Sequence, residues 1–120
     1  MRVFELATRH GLVEAAAAAL ATAVTEVARN MIVHAGGGEL TVIAVDEIGR
    51  RGVIVTAQDD GPGIEDIDRA MRDGFSTTGS LGLGLPGAQR LVDEFEIESV
   101  VAAGTRVTLR KWAAGATGAR

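Results

Sequence analysis

Glu26 and Asn30 stand four residues apart in a stretch of helical pattern, a spacing that puts both side chains on one face. They lie at the edge of the apolar stripe of Leu20, Ala23, Val24, Val27 and Met31, so both can project into a cleft beside the core. There an Asn oxygen can ligate Mg²⁺, and a Glu can orient or deprotonate a nucleophile. Alone the pair is a weak signal, and a partly solvated boundary pair is its commoner meaning.

A second constellation is the run Asp59-Asp60-Gly61-Pro62-Gly63-Ile64. An Asp fixed where a strand ends can accept a hydrogen bond from an exocyclic amine, while glycines two and four residues on let the backbone pass close to a planar base. A plain tight turn is the competing reading, and by composition the stronger one. Asp60 reads as solvated.

The third is Gly82-Leu83-Gly84-Leu85-Pro86-Gly87, which opens a helix and offers backbone N–H groups to an anion such as phosphate. These six residues also fit the dinucleotide fingerprint Gly-x-Gly-x-x-Gly. That fingerprint needs a buried strand immediately before it, whereas Phe75-Ser76-Thr77-Thr78-Gly79-Ser80-Leu81 precedes it here. No Gly-Lys-Ser or Gly-Lys-Thr is present, which excludes a P-loop.

The elements that must position these groups follow from periodicity. Residues 12–35 form an Ala-rich helix stopped by Gly36, Gly37 and Gly38. Residues 39–45 and 53–59 alternate as a β-hairpin. Residues 60–83 are rich in Gly, Ser and Thr, with a helical turn or two within 64–71, and a loop of this length inside a small domain is usually functional. Pro86 belongs to the first turn of a second helix, whose stripe is Leu85, Ala88, Leu91, Val92 and Phe95. Residues 96–101 and 105–111 close the fold as another hairpin, and 113–120 read as a flexible tail. The expected fold is an α+β two-layer sandwich, with helices on one face of a mixed, mostly antiparallel sheet, in a single domain over residues 1–112.

Composition sets limits on function. The chain has 120 residues, 47% of them hydrophobic, with three Phe, one Trp, no Tyr and a net charge of −4. Few aromatics and an acidic balance argue against a nucleic-acid partner. The absence of cysteine removes thiolate nucleophiles, disulfides and the usual zinc sites. With no apolar centre in residues 1–11 and no uninterrupted apolar run of bilayer length, the expected location is cytoplasmic, with no membrane partner.

The three constellations, in this order, resemble the N box and the two glycine boxes of the GHKL superfamily of ATPases and kinases, which share the Bergerat ATP-binding fold. The match is closer to the RsbT-type serine/threonine kinases that regulate anti-sigma networks. It rests on Glu26-Val27-Ala28-Arg29-Asn30, on Asp59 to Ile64, on Asp73 through Gly87, and on Leu91-Val92-Asp93-Glu94-Phe95, and spans roughly Val24 to Trp112. The resemblance implies ATP and Mg²⁺ as cofactors. Asn30 would ligate the metal and Glu26 would act on the hydroxyl being phosphorylated. Asp59 would take the adenine amine, with Gly61, Gly63 and Ile64 along the base and Thr105 supporting Asp59 through water. Gly82 and Gly84 would present backbone N–H groups to the phosphates, with Leu83 and Leu85 as further nucleotide contacts. Residues 64–81 would form a lid containing Thr77 and Thr78, although most hydroxyls there read as solubilising.

The implied activity is transfer of the γ-phosphoryl to a STAS-domain antagonist, with a phosphatase or sigma-factor regulator as a further partner. The alternative is a catalytically weak module in which ATP and ADP only bias which protein is held; a dinucleotide-dependent oxidoreductase is a distant third. RsbT-like kinases begin with a further strand and most of a helix, so an edge strand is expected to be missing from the sheet. A complete histidine kinase is excluded by the lack of a phosphoacceptor helix pair. Arg29 is expected to be solvated, His34 to favour the helix C-terminus, and His10 carries no assignment.

Overall fold

Alanine has the highest helix propensity, and the run Glu14–Ala35 forms one 22-residue helix, α2, after a short α1 at Val3–Arg9. The computed structural model describes residues 2–72 and 84–114. The helix α2 buries Ala17, Leu20, Ala23, Val24, Val27 and Met31 along one stripe. It ends at Gly36, whose φ of 76° suits a residue without Cβ; Gly36 N–H donates to the Ile32 carbonyl, the bond of an αL ending, and Gly37 N–H donates to the Met31 carbonyl.

Strands β1 (Glu39–Glu47) and β2 (Arg50–Asp59) form a hairpin across Ile48-Gly49, then come α3 (Ile67–Met71), α4 (Gly84–Leu91), β3 (Glu94–Val100) and β4 (Gly104–Trp112). Sheet order is β1-β2-β4-β3, with every neighbouring pair antiparallel. The expected mixed sheet is thus antiparallel throughout the described residues, because β4 returns between β2 and β3 and separates the two strands that run the same way. Val53, Val55 and Ala57 of β2 and Val107 and Leu109 of β4 point to one face. There they pack with Leu20 and Val27 of α2 and with Leu85 and Ala88 of α4 into one core. The opposite face carries polar pairs, such as Arg106 with Gln58 and Arg110 with Glu96 at 3.0 Å. The α+β arrangement with helices on one face is therefore present.

Four boundaries differ from the pattern. The segment before Gly11 is a helix, not featureless chain: Val3, Leu6 and Ala7 follow i, i+3, i+4 spacing and pack on the core, a stripe too short to stand out. The long helix begins at Glu14, because Gly11 at φ 95° turns the chain and Leu12 is buried in the connection. Phe95 lies in β3, not on a helix, since Asp93 N–H donates to the Arg110 carbonyl and draws the chain into the sheet at Glu94. Ala113 is anchored by its N–H to the Arg51 carbonyl and packs on the core, and residues 115–120 lie outside the described residues.

By length and mean hydropathy α2 could cross a bilayer. Its buried stripe and its Glu26–Arg29 ion pair are those of a core helix instead. The strand β1 is an edge of the described sheet, and Leu40 and Val42, opposite Ala57 and Val55, remain exposed on the helical side.

Candidate functional site

Sheet register brings the first cluster together. Asp59 ends β2 directly opposite Thr105 of β4, and Thr105 stands opposite Ser99 of β3, so three side chains share one face at one end of the sheet. Asp59 is 7% exposed. Its Oδ1 accepts the Gly61 N–H at 2.9 Å and the Thr105 N–H at 3.2 Å. Both described bonds fall on one oxygen, so Oδ2 keeps acceptor capacity in a side chain that lines a cavity.

Thr105 was expected to support Asp59 through water; in the structure its backbone N–H donates directly to Asp59 Oδ1. Its hydroxyl lies 2.8 Å from Ser99 Oγ, which accepts the Ile64 N–H at 2.7 Å and donates to the Gly104 carbonyl at 3.2 Å. One hydrogen per hydroxyl satisfies the whole set if Thr105 donates to Ser99. Ser99 thereby ties Ile64, the start of the loop, to the strands that hold Asp59. Sequence reasoning missed Ser99; its position opposite Thr105 in the closing hairpin was the available signal.

The glycines also have a packing reason. A Cβ at Gly61 would overlap Ala35 at the end of α2, and one at Gly63, where φ is 78°, would overlap the Val100 carbonyl. They let the turn pack against α2 and β3, while Ala102 N–H donates to the Pro62 carbonyl at 2.7 Å. Gly63 lines the cavity and Gly61 does not. At Gly104, with φ 116°, a Cβ would overlap the Asp59 carbonyl. Gly104→Ala is therefore expected to destabilise the fold by about 2 kcal/mol or more, read as a lowered midpoint in chemical denaturation.

The second cluster joins α2 to α4. Glu26 is 8% exposed, and its Oε1 accepts the Gly84 N–H at 3.1 Å. Gly84 has φ 69° and Pro86 falls in the first turn, as expected, so a free amide at the start of α4 faces a carboxylate. Arg29 is not simply solvated: its Nη1 lies 3.1 Å from Glu26 Oε2.

A cavity of about 320 Å³ opens at the first cluster, a size at the lower end for small-molecule sites. Of the expected site residues it is lined by Asn30, Asp59, Gly63, Ile64, Leu85 and Thr105. Glu26 and Gly84 sit beside it, one turn before Asn30 and one residue before Leu85. Thr77, Thr78, Gly82 and Leu83 lie outside the described residues. The cavity also takes in His34, one turn beyond Asn30 on the same helix face, and Glu65, Asp66 and Arg69 around α3. The i, i+4 spacing from Asn30 could have found His34; no spacing marked Arg69. Among the described residues no three His, Cys, Asp or Glu side chains are grouped to hold a metal.

A buried carboxylate with one oxygen unbonded among the described residues and an Asn in the same cavity, beside a Glu that accepts the first amide of α4, make up the candidate site. The chain belongs to the histidine kinase-like ATPase domain family, which it matches over residues 1–111. It is 47% identical over 95 residues to the serine/threonine-protein kinase RsbT of Bacillus subtilis (strain 168), covering 79% of this chain and 71% of that protein. It is 34% identical over 95 residues to the anti-sigma F factor of Thermoanaerobacter sp. (strain X514), covering 76% of this chain and 66% of that protein. The anti-sigma F factor of Clostridium novyi (strain NT) is 33% identical over 95 residues, covering 75% of this chain and 66% of that protein.

Proposed function

We propose that this protein is an ATP-dependent serine/threonine protein kinase of a bacterial partner-switching system, acting on a STAS-domain antagonist in the cytoplasm. The observation that carries the reading is that three separated stretches, through Asn30, Asp59 and Leu85, line one cavity, with the Glu26–Gly84 contact next to it in the chain. The similarity to RsbT supports the kinase and the acceptor class.

In this reading the adenine amine donates to Asp59 Oδ2, beside Ile64 and Leu85. The phosphates extend past Asn30 toward the start of α4, where amides stabilise negative charge. Asn30 offers a side-chain carboxamide oxygen in the cavity. Among the described residues no three His, Cys, Asp or Glu side chains are grouped for a metal, so a Mg²⁺ held there would depend mainly on phosphate oxygens, neutralising their charge. The acceptor hydroxyl oxygen bonds to the γ-phosphorus as the bond to the β–γ bridging oxygen breaks; ADP leaves and the hydroxyl proton passes to Glu26.

A second reading has one observation behind it. Glu26 is already engaged by Arg29 and by the Gly84 N–H, so a module that binds ATP and ADP only to choose its protein partner would keep this arrangement. Incubation with γ-labelled ATP·Mg²⁺ and STAS-domain proteins encoded beside this chain separates the two. Label on the partner is the expected result; tight nucleotide binding with no labelled partner contradicts the kinase and favours the switch.

A further inference from the structure

The carboxylate of Glu26 is held from two sides. A single guanidinium nitrogen, Arg29 Nη1, lies 3.2 Å from Oε1 and 3.1 Å from Oε2, and the Gly84 N–H reaches Oε1 at 3.1 Å. Oε1 thus carries two described bonds and Oε2 one, so Oε2 has more acceptor capacity left for an incoming proton. The two partners differ in exposure: Glu26 is buried, whereas 46% of the Arg29 side chain meets solvent.

With one partner half in solvent, an i, i+3 ion pair adds little to folding. This one has another consequence. A Glu side chain has three rotatable bonds, and one amide contact leaves its carboxylate free to pivot about Oε1. The contact from Arg29 to both oxygens fixes that plane. It also sets a positive charge beside a carboxylate that, in the reading above, must remain next to a nucleotide polyphosphate, where repulsion would otherwise push it away.

We propose that Arg29 is a positioning residue for Glu26: its guanidinium holds the carboxylate against the first amide of α4 and so sets the place from which Glu26 accepts the hydroxyl proton. This rests on the reading of Glu26 as base, but the geometric part can be tested without it.

The test uses the full chain with ¹⁵N-labelled glycine, as wild type, Arg29→Ala, Arg29→Lys and Glu26→Gln. In Arg29→Ala the Gly84 amide resonance is expected to move and its hydrogen exchange to quicken by about 10-fold or more. The Gly61 amide, held by Asp59, should stay unchanged, and Arg29→Lys should fall between Ala and wild type. A Gly84 amide identical in Arg29→Ala and wild type overturns the proposal.

The kinetic arm measures transfer from ATP·Mg²⁺ to the STAS-domain acceptor. Arg29→Ala should lower kcat by about 10-fold, as displacement of a reacting group does, with nucleotide affinity within about threefold. It should cost nothing further in a Glu26→Gln background, because two residues acting through one contact are not additive. A full second loss on top of Glu26→Gln shows that Arg29 acts without Glu26 and overturns the proposal. Full activity of Glu26→Gln alone overturns the base assignment instead, and the Gly84 amide still decides whether Arg29 fixes Glu26.

Discussion

Glu26→Ala is expected to lower phosphoryl transfer by about 10²-fold or more while leaving adenine-nucleotide affinity within a few-fold. The two effects separate because Glu26 sits beside the cavity and not in its wall: the residues that the proposed reading assigns to the base, Asp59, Ile64 and Leu85, are untouched. The Ala variant also strips α4 of the acceptor for its first amide, which costs about 1 kcal/mol of stability, as loss of a helix cap does. Glu26→Gln isolates the chemistry. Its amide oxygen can still take the Gly84 N–H, yet it cannot serve as a base at neutral pH. Transfer should therefore fall in both variants and stability mainly in Ala. Wild-type transfer by Glu26→Gln contradicts the base role.

Asp59→Asn is expected to weaken ATP binding by about 10-fold to 100-fold, the size of a lost charge-assisted hydrogen bond. The native carboxylate takes two N–H groups on Oδ1 and keeps Oδ2 for the ligand. An Asn must choose. If its oxygen faces the Gly61 and Thr105 amides, its NH₂ group meets the adenine amine, donor against donor; if it flips, the clash moves inside the protein. Guanine carries a carbonyl where adenine carries its amine, so the preference for ATP over GTP should narrow in the same variant. Competition binding with both nucleotides checks this, and unchanged ATP affinity contradicts the assignment of Asp59.

Much of this site was legible in the sequence because its parts are local. The i, i+4 pair of Glu26 and Asn30 fixes a helix face, and Asp59 with its glycines marks the end of a strand. What was hidden depended on register. Ser99 matters because the closing hairpin places it across from Thr105, which in turn stands across from Asp59, a relation set by two strand pairings. The engagement of Glu26 by Gly84 joins residues 58 apart in the chain, and no local pattern encodes it. Gly61 and Gly63 have a further requirement that no local pattern encodes: the positive φ of Gly63 and the packing of the two against Ala35 and Val100 are tertiary facts. The short α1 escaped because seven residues give less than two turns of periodicity.

One ligand-binding measurement reaches the centre of the account. Unfolding of the purified chain should be followed with ATP·Mg²⁺, ADP·Mg²⁺ and NAD, each titrated well above saturation. A ligand at 100 times its dissociation constant adds about 2.7 kcal/mol to the folded state, so both adenine nucleotides should raise the unfolding temperature by several degrees and NAD should not. Indifference to ATP·Mg²⁺ and ADP·Mg²⁺, or stabilisation by NAD alone, would contradict it.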